Sequence, residues 1–151
     1  MAKRKTWREK LEVDQERKVV DNPRGGGTLL IPKPLDVDAL VRKIQTGKLV
    51  TVDQIRRRLA KDYGGDTACP LCTGIFLRIA AEVAEEDLTN GATEITPYWR
   101  VVKADGGLNE KFPGGVDAQA AHLKEEGHTI EPGKGKKPPK VKDFKKALVE
   151  V

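Results

Sequence analysis

Val37, Leu40, Val41 and Ile44 recur at i, i+3, i+4 and i+7, the period of a helix with one apolar face. Asp36 stands at the expected N-cap and Gly47 lies just past the end. A second helix follows at once. Thr51 and Gln54 have capping-box spacing, Val52, Ile55 and Leu59 share a face, and Gly64-Gly65 stops it. A third, longer helix starts near Thr67 or Cys69, because Pro70 is tolerated only in a first turn. Its inward positions read Leu71, Cys72, Ile75, Phe76, Ile79, Ala80 and Val83, and it runs to about Asp87. A short helix is also expected after Thr6, which has capping-box spacing to Glu9 and places Trp7 and Leu11 on one face.

Beyond the third helix the period changes. Residues 99–103 are strand-like, Asp105-Gly106-Gly107 is a turn signal, and residues 108–112 are expected to pair back as a hairpin. Gly114-Gly115 introduces a fourth helix with Val116, Ala120 and Leu123 inward, ended by Gly127. Val141, Phe144 and Leu148 make a helical stripe near the C-terminus. Residues 22–34 are rich in Gly and Pro and read as irregular; residues 131–140 read as a basic loop. The fold class predicted is mostly α with a small β hairpin (α+β), of winged helix-turn-helix type, although small α/β domains share this string of elements. The folded unit is placed at 36–130. Residues 1–35 are then a basic, partly irregular N-terminal segment, and 131–151 a basic C-terminal tail with a short helix.

Composition narrows the class further. The 151 residues suit one domain, and a folded chain of this size buries roughly 68–70% of its unfolded surface. No apolar run approaches the roughly 18 residues of a membrane span. The basic start, Met1–Lys5, is followed by no apolar segment, so a secretory signal is not expected. Two cysteines make no disulfide scaffold, and a cytoplasmic monomer is the expectation. The net charge of +5 is uneven. Residues 1–35 hold nine Lys/Arg against five Asp/Glu, residues 128–151 seven against three, and residues 36–127 twelve against fifteen. The expected tails are basic and the expected domain is mildly acidic.

The informative segment is Ile95-Thr-Pro-Tyr-Trp-Arg-Val-Val-Lys-Ala-Asp-Gly-Gly-Leu108, continuing through Phe112-Pro-Gly-Gly115 and the stretch from Gln119 to His128. It resembles the C-terminal DNA-binding and active-site domain of the 6-O-alkylguanine DNA alkyltransferases. It is closer still to the alkyltransferase-like proteins that lack the acceptor cysteine. Pro97, Arg100, Val101, Val102, Gly106, Phe112, Gly114, Gly115, Leu123, Glu126 and Gly127 match the family signature in order and approximate spacing. Gly47–Ile55 resembles the family's entry into its helix-turn-helix, so the resemblance covers about residues 36–130.

The resemblance implies double-stranded DNA as partner. It also implies a pocket for alkylated guanine formed by Pro97, Tyr98, Trp99, Arg100, Phe112, Gly114 and Gly115, and DNA contacts from Thr51, Arg56, Arg57, Arg58, Thr73 and Arg78. A lesion bound without repair would be handed to a repair protein of another pathway. Glu126 would belong to the family's buried hydrogen-bond relay. Two departures decide the chemistry: Tyr98 occupies the acceptor cysteine position and Trp99 the adjacent histidine position. Alkyl transfer needs a thiolate, and a phenol with pKa about 10 does not replace one. A non-enzyme is therefore expected, with no cofactor and no metal. The family's phosphate-rotating Tyr aligns with Val52, its gap-filling Arg with Pro70, and its Asn hinge has no counterpart in 94–96.

Plainer readings stand beside these. Cys69-Pro-Leu-Cys72 reads as a buried structural pair, a redox pair, an alternative alkyl acceptor, or half of a zinc site that only His122 and His128 could complete. Tyr98-Trp99 is also a candidate core corner, and Arg56-Arg57-Arg58 a solvated helix face. The lysines of 134–146 read as solvent-facing or as DNA contacts. The chain as a whole also reads as a protein-interaction module that has lost DNA binding.

Overall fold

The computed structural model describes residues 6–13 and 16–151; the basic run Met1–Lys5, and with it the reading against a secretory signal, lies outside the described residues. Helix α1 (Trp7–Leu11) forms as its capping box predicts: Thr6 Oγ1 accepts the Glu9 N–H at 3.1 Å and the Glu9 carboxylate accepts the Thr6 N–H at 3.2 Å. The segment expected to be partly irregular is then largely ordered. Strands β1 (Lys18–Asp21) and β2 (Thr28–Ile31) pair antiparallel, and the turn between them, where Gly25, Gly26 and Gly27 all have positive φ, is irregular. The hairpin has a single fully buried residue, Leu30, so its alternation is too short to read in sequence.

Helix α2 (Pro34–Arg42) begins two residues earlier than Asp36. Asp36 is not its N-cap. It sits in the first turn, where its carboxylate accepts the Lys33 N–H at 2.9 Å and pairs with Arg17 at 2.6 Å. Strand β3 (Val50–Thr51) leads into α3 (Val52–Tyr63), whose Thr51–Gln54 capping box and Gly64 terminus (φ 91°) are as predicted. Strand β4 (Thr67–Ala68) runs parallel to β2 and completes a three-stranded sheet of order β1-β2-β4. This sheet ties the N-terminal segment to the helix pair, so the folded unit does not begin at Asp36.

Helix α4 (Pro70–Thr89) buries Thr73, Leu77, Ile79, Ala80, Ala81, Val83 and Ala84. Ile79, Ala80 and Val83 form a small apolar cluster with Leu11, against which Trp7 and Phe76 pack, and Arg8 clamps both oxygens of Asp87 at 2.7 and 2.8 Å. Two residues expected inward are not: Leu71 is 73% exposed and Ile75 49%. They fall on a third stripe of α4 that neither the main core nor α1 covers.

The predicted wing does not form as a hairpin. Tyr98–Arg100 is a 3-10 turn, and β5 (Val101–Val102) pairs parallel with β3. The turn signal is real, since Gly106 N–H bonds Lys103 O and Lys103 N–H bonds Gly107 O. The chain that leaves it meets the C-terminal segment instead: Leu108 N–H bonds Pro139 O at 2.9 Å and Val141 N–H bonds Gly106 O at 3.0 Å. Helix α5 (Gly115–Glu125) follows, with Leu123 buried and Val116 and Ala120 half-buried. Strands β6 (Ile130–Glu131) and β7 (Lys140–Val141) pair antiparallel.

The C-terminal stripe is likewise not a helix. Phe144–Lys146 is a 3-10 turn, the Phe144 ring lies over Gly106, and Leu148 bridges to Leu49. Val141 is fully in the core. Residues 131–151 are thus part of the folded body, and their lysines sit on it.

The main core gathers Leu30, Val37, Val41, Leu49, Ile55, Leu59, Leu77, Leu108 and Leu123 around Tyr98. One polar side chain at its centre joins α5 to the Tyr98 segment. Gln119 is fully buried; its amide donates to Trp99 O (3.2 Å) and Val101 O (3.0 Å) and accepts the Asn109 N–H (2.7 Å). Gln119→Leu leaves those backbone groups without partners and is expected to cost about 1–2 kcal/mol, read as a lower urea midpoint at unchanged m-value.

Candidate nucleic-acid interface

The proposed pocket residues come together, but as a filled cluster. Tyr98 is fully buried and Phe112 is 3% exposed; their rings meet edge-on at 5.1 Å. Trp99 stands edge-on to Tyr98 at 5.3 Å and stacks on His122 at 4.1 Å. Gly114 caps α5 with φ 77°, and a Cβ there would collide with Ala118; Gly115 follows at φ 69°. These two glycines serve the tight helix start. A cleft of about 430 Å³ does include Pro97, Trp99 and Arg100, but it opens toward Arg42, Thr46 and 93–95, not toward Phe112 or the glycines.

Polar groups fix this cluster. The Tyr98 hydroxyl donates to Glu85 Oε1 at 2.6 Å, and His122 Nε2 lies 3.0 Å from the same oxygen. Burial, then the Glu85 carboxylate, push the Tyr98 phenol above its ordinary range. A phenol kept protonated and enclosed is no nucleophile. Tyr98→Phe keeps the ring packing and loses only the bond to Glu85; a cost of about 1–2 kcal/mol is expected from its urea midpoint.

Trp99 also makes a polar contact. Its indole N–H donates to Glu126 Oε2 at 2.8 Å. Arg100 meets the same carboxylate at 2.7 Å and also reaches Thr46 Oγ1 at 2.9 Å and the Ile44 carbonyl. The Gly47 N–H completes the site at 3.1 Å. Glu126 therefore has partners, but an indole can only donate, so no proton can pass along this chain. Burial alone would raise the Glu126 pKa; Arg100, the Gly47 N–H and the Trp99 indole outweigh it and hold the carboxyl below its usual range.

The expected DNA contacts divide. Thr51 is buried and caps α3; Thr73 is fully buried and its hydroxyl donates to Cys69 O at 2.8 Å. Neither faces outward. Arg56 is used internally, donating to Ala68 O at 3.1 Å and Thr67 Oγ1 at 3.2 Å, which fastens α3 to β4. Arg58 bonds Asp62 at 3.0 Å and Val151 O at 3.1 Å. Arg57 is exposed and makes no ion pair among the described residues. Arg78 is exposed, 3.9 Å from Glu82 and over the Trp7 ring at 5.5 Å.

Sequence reasoning missed the surface that results. On α4, Leu71, Gly74, Ile75 and Arg78 lie at i, i+3, i+4 and i+7, all exposed, and nothing stands within 4 Å of a Cβ placed on Gly74. This is an apolar stripe on the first two turns of α4, ending in a cation. Spacing alone groups Leu71 and Ile75 with the core-facing positions of α4. Cys69 and Cys72 lie at the start of the same helix and outside the Tyr98 cluster; burial and the Cys69 sulfur push the Cys72 thiol up to about 11. Among the described residues no group of three His, Cys, Asp or Glu could hold a metal, and no helix is long and apolar enough to cross a membrane.

The helix pair α3 and α4, the 3-10 turn Tyr98–Arg100 and glycine-led α5 belong to an α+β fold of the alkyltransferase-like type. No protein-family model matches the sequence, and no curated protein matches it. Among solved structures the chain is similar to S. pombe Atl1 in complex with damaged DNA containing O6-carboxymethylguanine. The TM-score is 0.50 at 19% identity, over 78% of this chain and 94% of that one.

Proposed function

We propose that this is a non-catalytic protein that binds duplex DNA through the exposed stripe of α4. That stripe is the observation that carries the reading. Leu71 and Ile75 form an adjacent exposed apolar pair beside a glycine that lets a partner's backbone approach. Minor-groove binders insert Leu or Ile between base steps in this way, while nearby cations meet the phosphates. Arg78, on the same stripe of α4, supplies such a cation.

A second, finer reading is preference for alkylated guanine with hand-over to a repair protein. It is favoured by the damaged-DNA complex of the similar fold. A guanine seated beside Tyr98 requires the Tyr98–Phe112 contact to open, whereas binding through α4 requires nothing to move. The test is affinity for otherwise identical duplexes with and without one O6-methylguanine, measured across salt concentration. Duplex binding is expected to weaken with salt by a slope of about −0.9 per neutralised phosphate. Binding with no salt dependence removes the DNA reading. Equal affinity for both duplexes removes the lesion reading and leaves the first intact.

A further inference from the structure

The Cys69–Cys72 pair is used neither by the core nor by the proposed interface. Cys69 is the N-cap of α4, and its Sγ accepts the backbone N–H of Cys72 at 3.2 Å. Both side chains are partly accessible and both sulfurs are free thiols. Two residues three apart in a helical turn have Cα atoms about 5 Å apart, from the rise and radius of the helix. That lies inside the span a disulfide requires, about 4.4–6.8 Å. Pro70, with no N–H to lose, holds the turn in place between them.

We infer that Cys69 and Cys72 form a reversible dithiol–disulfide site at the first turn of α4, oxidised by a low-molecular-weight disulfide such as glutathione disulfide. This does not depend on the DNA-binding reading. The Cys69 thiolate attacks one sulfur of glutathione disulfide, forming a mixed disulfide and releasing one glutathione thiolate. Cys72 then loses its proton to solvent and attacks the Cys69 sulfur, releasing the second glutathione. Two protein thiols are oxidised, one glutathione disulfide is reduced to two thiols, and electrons and protons balance. No metal is needed, and none is offered: no third ligand lies beside the pair among the described residues.

The full chain is incubated with glutathione disulfide, quenched in acid, denatured and alkylated with iodoacetamide, and its intact mass is read. The expected product is lighter by two hydrogens and carries no alkyl adduct; dithiothreitol restores a form with two adducts. Cys69→Ser retains an N-cap oxygen and the fold. This variant and Cys72→Ser should each carry one glutathione or one alkyl adduct and never the intramolecular loss. A wild-type chain that keeps two alkylatable thiols, carries two glutathiones, or links only to a second chain overturns the site.

Discussion

Replacing Glu126 with alanine is expected to lower the stability of the fold by about 3–5 kcal/mol, the cost of stranding one member of a buried ion pair. Glu126 and Arg100 are 9% and 12% exposed, and the carboxylate also holds the Trp99 indole and the Gly47 N–H. Alanine removes four donors' acceptor at once. It leaves the Arg100 charge with only Thr46 and the Ile44 carbonyl. The loss is read as a urea midpoint shift at unchanged m-value, and a loss below about 1 kcal/mol would mean that water already screens the pair. The pH dependence has a definite sign. The Glu126 carboxyl is held below its unfolded value of about 4.3, so the unfolded state binds more protons. Its contribution is complete above that value and is lost as pH falls through the lower folded one. His128, whose pKa burial lowers, adds a loss that begins below about 6.5. Glu126→Gln should remove the Glu126 part of the acid limb and deepen the His128 part, because the Glu126 charge partly offsets the burial that lowers the His128 pKa.

Leu71→Asp is expected to weaken duplex binding about tenfold to a hundredfold, the range for losing one well-placed contact, while leaving the fold intact. The side chain is 73% exposed, so its removal uncovers no core, and surface changes of this kind stay within about 0.5 kcal/mol. An acid in the first turn of α4 should even steady the helix through its dipole. Leu71→Ala should fall between the two. The measurement is fluorescence anisotropy with a labelled duplex, paired with a thermal melt. Unchanged affinity for Leu71→Asp and Ile75→Asp together would move the interface off α4.

Local chemistry made much of this fold readable. The Thr6–Glu9 and Thr51–Gln54 capping boxes, Pro70 at a helix start and Gly64 at a helix end each depend on residues within a turn of one another, and each sits where it was expected. The motif around Tyr98-Trp99 also fixed the kind of fold. It could not show how the Tyr98 side chain would be enclosed. That depends on Glu85 and His122, which come from two other helices and have no sequence relation to Tyr98.

What the sequence determined by itself is four of the helices and the caps at Thr6, Thr51 and Gly64, because these follow from residue identity and short-range geometry. Tertiary structure decided the rest. It paired β1–β2 with β4, gave Leu108 a partner in residues 139–141 instead of a wing, and turned Leu71 and Ile75 outward. It also laid the basic segment 131–151 against the core, so the C-terminal lysines of an apparently separate tail belong to the same body as the acidic centre. Each of these outcomes is a contact between residues far apart in the chain, and helical periodicity constrains only which face is apolar, not which neighbour covers it.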